Sequence, residues 1–174
     1  MHLKATGLTA LLVAAWSMFT LSCSSGKSTA EAKGYRMGER VEVGPLIYNV
    51  MDTEWKEQLG EGPGARIPKN RFLMIHLSVT NSGVSDSAIP VMTLLDAGGQ
   101  SFTELTDGQG VPEWLGYLRN LKPAQTDRGR VLFDVPPGAY RLRVTNDAEP
   151  GSQRAALIDI PFQVEPVLPP PPAR

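Results

Sequence analysis

Between Arg71 and Gly83 the chain reads R-F-L-M-I-H-L-S-V-T-N-S-G, with an apolar residue at every second position. Leu73, Ile75, Leu77 and Val79 therefore share one face of an extended strand. Phe72, Met74, His76, Ser78 and Thr80 share the other, a mixed set suited to partial exposure. Asn81-Ser82-Gly83 end the run with residues that accept turn geometry. A strand with one apolar face needs a covering layer, so a second sheet is predicted.

The same alternation recurs along the chain. Val41 and Val43 are followed by the break Gly44-Pro45, after which Leu46, Tyr48 and Val50 resume it. Residues 52–59 fit a helical turn or a strand equally, and the glycines and prolines of 60–70 permit only a loop. A strand is predicted over 89–95, then a tight turn over 96–100 into 101–105. Between Asp107 and Gln125 the period changes: Pro112 can open a helix, and Trp114, Leu115, Leu118 and Leu121 fall on one helical face, although Gly116 is unfavourable inside it, so a short helix or turn is predicted. Strands follow at 128–135, with Val131, Phe133 and Val135 inward, and at Tyr140, Leu142 and Val144. Ile158, Ile160, Phe162 and Val164 form the last, which Pro161 marks as an edge strand. Seven or eight short strands in about 130 residues, without an internal repeat, predict an all-β chain folded as an antiparallel β-sandwich.

Composition narrows the function classes. The 174 residues carry 17 Lys plus Arg and 18 Asp plus Glu, a net charge of −1 that gives no reason to seek nucleic acid. One cysteine forbids an internal disulfide, and one cysteine with two histidines excludes a zinc site of Cys/His type.

The amino terminus accounts for that cysteine. A short basic start precedes an apolar run over 8–19, too short for a membrane span and of the length of a signal-peptide core. Thr20-Leu21-Ser22-Cys23 then resembles the bacterial lipoprotein signal, with Thr20 where leucine is commoner. The resemblance implies a signal helix over 1–22 that is removed, and Cys23 as an acylated, for instance palmitoylated, first residue. The competing reading is an ordinary secretory signal leaving a free thiol, an oxidation liability outside the cell that acylation removes. Ser24 stands where an aspartate would mark inner-membrane retention, so an outer-membrane position is expected if two membranes are present. Residues 23–34 are small and polar and read as a lipidated tether; 35–165 form the sandwich; 166–174 are a proline-rich tail. No cofactor is expected beyond the covalent lipid.

Candidate chemistry is sparse. His76 is the one histidine left after cleavage, and no serine lies in a nucleophile-elbow sequence, so no catalytic residue is assigned. Met74 and His76 share a strand face and, with Met92 on a neighbouring strand, would suit Cu(I); core filling competes as the role of the methionines. Arg128, Arg130, Arg141 and Arg143 would form one basic face only if their strands share a sheet. Trp114, Tyr117 and Leu118 lie in the longest connection and carry side chains common at binding hot spots, or else Trp114 and Leu118 cap the core.

The strand ending Val79-Thr80-Asn81-Ser82-Gly83, the turn Leu95–Gly99, the step Leu121-Lys122-Pro123 and the run Val131–Pro136 resemble, in this order, a telokin-like family. It is the immunoglobulin-fold domain of unknown function found in bacterial lipoproteins and exported proteins, mycobacterial immunoprotective antigens among them. The resemblance spans roughly 35–164 and implies an immunoglobulin-like sandwich, with no catalytic residues to carry over. Ala124 departs from the glycine usual after that proline. The combined expectation is a lipid-anchored envelope lipoprotein whose module binds an envelope protein or polymer. The alternative is an exported small-molecule or copper carrier using the face around Met74 and His76.

Overall fold

The computed structural model describes residues 33–146 and 153–162. Cys23, the signal segment, most of the tether and the proline-rich tail lie outside the described residues. Among the described residues there are eleven strands: β1 (Lys33–Arg36), β2 (Val41–Val43), β3 (Leu46–Lys56), β4 (Arg71–Asn81), β5 (Ser87–Ala88), β6 (Thr93–Leu95), β7 (Ser101–Thr103), β8 (Asn120–Leu121), β9 (Thr126–Val135), β10 (Tyr140–Thr145) and β11 (Ala155–Ile160). They exceed the predicted seven or eight because several have only two or three residues. One short 3-10 turn, Gly62–Gly64, interrupts the 60–70 loop.

Two sheets face each other. One runs β1-β11-β10-β6-β7 and the other β2-β3-β4-β9, with β5 and β8 paired separately. All neighbours are antiparallel except β1, which runs parallel to β11. Leu73, Ile75, Leu77 and Val79 of β4 are fully buried between the sheets, against Tyr48, Val131, Phe133, Leu142 and Ile158. The Arg71–Gly83 stretch thus supplies the centre of the core, as its period requires.

The ambiguity over 52–59 has a structural cause. The ladder between β3 and β4 slips between Val50 and Asp52, so one extra residue reverses the side-chain alternation. Leu46, Tyr48 and Val50 point inward before the bulge, and Trp55 packs on the core after it. The bulge also sets Asp52 opposite His76.

Five expectations are corrected. Of the short helix or turn predicted within 107–125, turns form at 109–110 and 112–113 and no helix does, because Glu113 (φ 49°) and Gly116 (φ 88°) adopt left-handed backbone that interrupts a helical run. Of the strand predicted over 89–95 only β6 (Thr93–Leu95) forms; β5 ends at Ala88, and Pro90 between them has no N–H to give a ladder. β11 is an interior strand, flanked by β1 and β10; it ends at Ile160, so Pro161 lies past the ladder. Phe72 and Met74 are buried, since a loop covers that face of β4. The expected tether also ends early, Lys33 and Gly34 already belonging to β1.

Candidate functional site

The loop from Glu104 to Arg119 passes from the five-stranded sheet across the outer face of the four-stranded one. Leu105 N–H donates to the Leu132 carbonyl (2.7 Å), Leu115 N–H to Arg130 C=O (3.0 Å), and Arg130 N–H to Glu113 C=O (2.9 Å). Trp114 thereby bridges in parallel to Arg130, and the exposed edge of β9 is partly covered. Gly129 makes this possible: a Cβ there would lie 2.5 Å from the Glu113 carbonyl oxygen. Beneath the loop, Val111 joins Leu59, Phe72, Met74 and Leu132 in a second apolar cluster.

His76 sits beside that cluster. Its Nδ1 is 3.0 Å from Asp52 Oδ2, while Nε2 lies 4.0 Å from Glu113 Oε2 without a hydrogen-bond partner. Glu113 also takes Arg130 Nη1 at 3.2 Å. Met74, 2% exposed, closes into the apolar cluster, whereas Met92 lies between the sheets on the other side of β4. The two thioethers therefore do not converge with His76. A recess of about 470 Å³ touches Met74, Leu59, Gly110 and Pro112, and His76 does not line it. Among the described residues, no group of three or more His, Cys, Asp or Glu side chains could hold a metal ion.

The loop's far end is organised differently. Trp114 packs its indole over Gly108, where no side chain could fit, and stays 36% exposed. Leu115 packs on the main core, Tyr117 is half-buried, and Leu118 is 93% exposed. Leu118 therefore does not cap the core, as one of the two sequence readings had it. The next residue, Arg119, turns inward to an ion pair with Glu104, and each side chain is 2% exposed. Glu104 Oε1 also accepts the Met92 N–H at 3.0 Å. Burial pushes the Glu104 carboxyl above the usual carboxylate range, with Arg119 and the Met92 N–H opposing. Burial likewise raises the Tyr48 phenol, whose hydroxyl donates to the Thr145 carbonyl at 2.7 Å.

Sequence reasoning missed this pair, although one signal was available. Phe102 and Glu104 share a parity, so continuing β7 carries a carboxylate inward, where a buried charge needs a partner. The four arginines considered together are separated: Arg128 and Arg130 lie on β9, Arg141 and Arg143 on β10 of the opposite sheet.

Two facing sheets with short crossing connections and no regular α-helix among the described residues define an immunoglobulin-like β-sandwich. The chain belongs to the family "Domain of unknown function (DUF4352)", whose profile matches residues 35–156. Comparison with curated proteins gives no significant match. Among solved structures, the YjhA protein of Bacillus subtilis superposes with a TM-score of 0.57 at 15% identity, covering 72% of this chain and 98% of its own. The candidate lipoprotein YcdA of the same species gives 0.55 at 16% identity, covering 71% of this chain and 38% of its own. MPT63, a secreted protein of Mycobacterium tuberculosis, is a more distant likeness: TM-score 0.43, 12% identity, 76% of this chain and 99% of its own. These likenesses concern the fold.

Proposed function

We propose that the chain is an exported lipoprotein, fastened by lipid on Cys23 to the cell envelope and, where two membranes exist, to the outer one. Its sandwich acts as a non-catalytic recognition module that binds an envelope protein or polymer through the Trp114–Leu118 loop. The observation carrying this reading is Leu118, 93% exposed between the half-buried Tyr117 and the buried Arg119. An apolar side chain held in water by fixed neighbours is organised for contact before the partner arrives, which lowers the entropy lost on binding.

Two experiments test it. A photo-crosslinking amino acid at Leu118, in cells, should capture one specific adduct that Trp114→Ala diminishes; equal labelling from exposed Val84 would overturn the assignment of the loop. Cys23→Ala should release the protein from membranes, and an undiminished membrane fraction would remove the anchor. Copper carriage by Met74 and His76 is the competing reading, and it requires the lid over Met74 to open. Cu(I) titration with His76→Ala as control separates the two: stoichiometric binding lost in the variant favours the carrier.

A further inference from the structure

On the outer face of the five-stranded sheet, Arg36, Ser101, Thr103, Arg141, Arg143 and Asp159 are all exposed. Alternation places Arg36 of β1, Asp159 of β11 and Arg141 of β10 in one cross-strand row, ending at Leu95. The next row holds Gly34, Leu157, Arg143 and Thr93. Arg36, Arg141 and Arg143 are exposed and, among the described residues, none takes part in an ion pair. Asp159 is the single carboxylate among them on these strands. On the opposite outer face, the strands carry Glu42, Asp52, Glu54 and Asp134 beside Lys56, Arg128 and Arg130, and there Lys56 is paired with Glu54 and Arg130 with Glu113. Three arginines outside any described ion pair thus stand on one side, against the single carboxylate of Asp159.

We propose that this side lies against a bilayer surface bearing anionic headgroups. Strand spacings place the Cα atoms of Arg36, Arg141 and Arg143 within roughly 12 Å of one another, well inside the screening length of about 30 Å at ~0.01 M salt, so at low salt they act as one field. Leu95 and Leu157, half-buried between them, add apolar contact at the height of the arginine stems. A sheet face of exposed arginines suits mobile headgroups better than a polymer of fixed geometry. The third argument rests on the anchoring proposed above: β1, an edge of this sheet, begins ten positions after Cys23.

The test removes the anchor, so that the two proposals fail separately. Both sheets are built from residues at or after Lys33, and a chain starting at position 23 with Cys23→Ser keeps the whole sandwich. Its co-sedimentation is measured at low salt with vesicles of phosphatidylcholine alone or mixed with phosphatidylglycerol. Binding should need the anionic lipid and fall about tenfold or more in Arg141→Glu/Arg143→Glu, each basic group contributing separately near such a surface. Arg128→Glu, on the other sheet, should bind as the parent does. Urea midpoints of both variants show that the fold survives. No binding to the anionic vesicles, equal binding to both lipids, or an undiminished double variant overturns the proposal. So does tighter, Arg141-dependent binding to a soluble polyanion, which would assign the face to a polymer.

Discussion

Arg119 and Glu104 form an ion pair inside the sandwich, and they do so at the two ends of the loop that crosses the neighbouring sheet. Nε and Nη1 of Arg119 are buried without a hydrogen-bond partner, so Glu104 is the principal compensation for its charge. Removing either partner alone should cost about 3–5 kcal/mol, because the survivor is left charged in a dry site. The double change Glu104→Leu/Arg119→Leu should cost much less than the sum. Urea unfolding of the four proteins gives the coupling; additive losses would show that the pair is not a unit.

The same site sets a pH dependence. The folded pKa of Glu104 is raised by burial, so the folded state holds that proton more tightly than the unfolded chain does. Its contribution is fully present below the ordinary carboxylate value and is lost as pH rises through the elevated folded one. Stability of the parent, measured relative to the double leucine variant, should therefore decline with rising pH across that window. A flat difference would sink this assignment.

Ala124 occupies a position made for glycine. Its φ is 61°, in the turn closed by the Gln125 N–H on the Lys122 carbonyl at 3.0 Å. Pro123 followed by a left-handed residue is the type II pattern, which favours glycine third. Ala124→Gly should stabilise the fold by about 1 kcal/mol, as relief of a left-handed alanine outweighs the added chain entropy. The readout is a higher urea midpoint at unchanged slope.

Gly129→Ala is the sharper probe of the loop. The new methyl meets backbone at Glu113 and Leu115, neither of which can rotate away. The variant should lose about 1–3 kcal/mol and show faster hydrogen exchange at the Leu115 and Arg130 amides. Trp114 should become more exposed, with red-shifted emission. Unaltered exchange at both amides would mean that the loop is held elsewhere.

Asn81 ties three segments together. Its side chain donates to the carbonyls of Ser85 (2.8 Å) and Leu121 (2.9 Å) and accepts the Gly83 N–H (2.9 Å). Asn81→Ala strands buried groups and should cost on the order of 2–3 kcal/mol, whereas Ser82→Ala beside it should cost well under half of that. Thermal unfolding distinguishes the two.

Local pattern made the long strands legible. In β4, β9, β10 and the part of β3 before its bulge, a period of two is punctuated by Gly-Pro, Asn-Ser-Gly and Pro-Pro-Gly, so each declares itself without help from its partners. The 104–119 segment is organised by distant bonds instead, to Arg130 and Leu132, and its apolar spacing imitated a helix. Burial of Phe72 and Met74 follows from that same lid, so it was equally invisible. Trp114, Tyr117 and Leu118 could be singled out by residue type, but not which of them faces water; that depends on Arg119 turning inward.

Parallel pairing of β1 with β11 has a mechanical consequence. Lys33 to Arg36 align with Ala156 to Asp159 in the same direction. A pull along the axis of β1 from its upstream end loads these neighbours together, in shear, rather than opening them one after another like a zipper. The border where the chain enters its folded body is thus braced against tension along its own length.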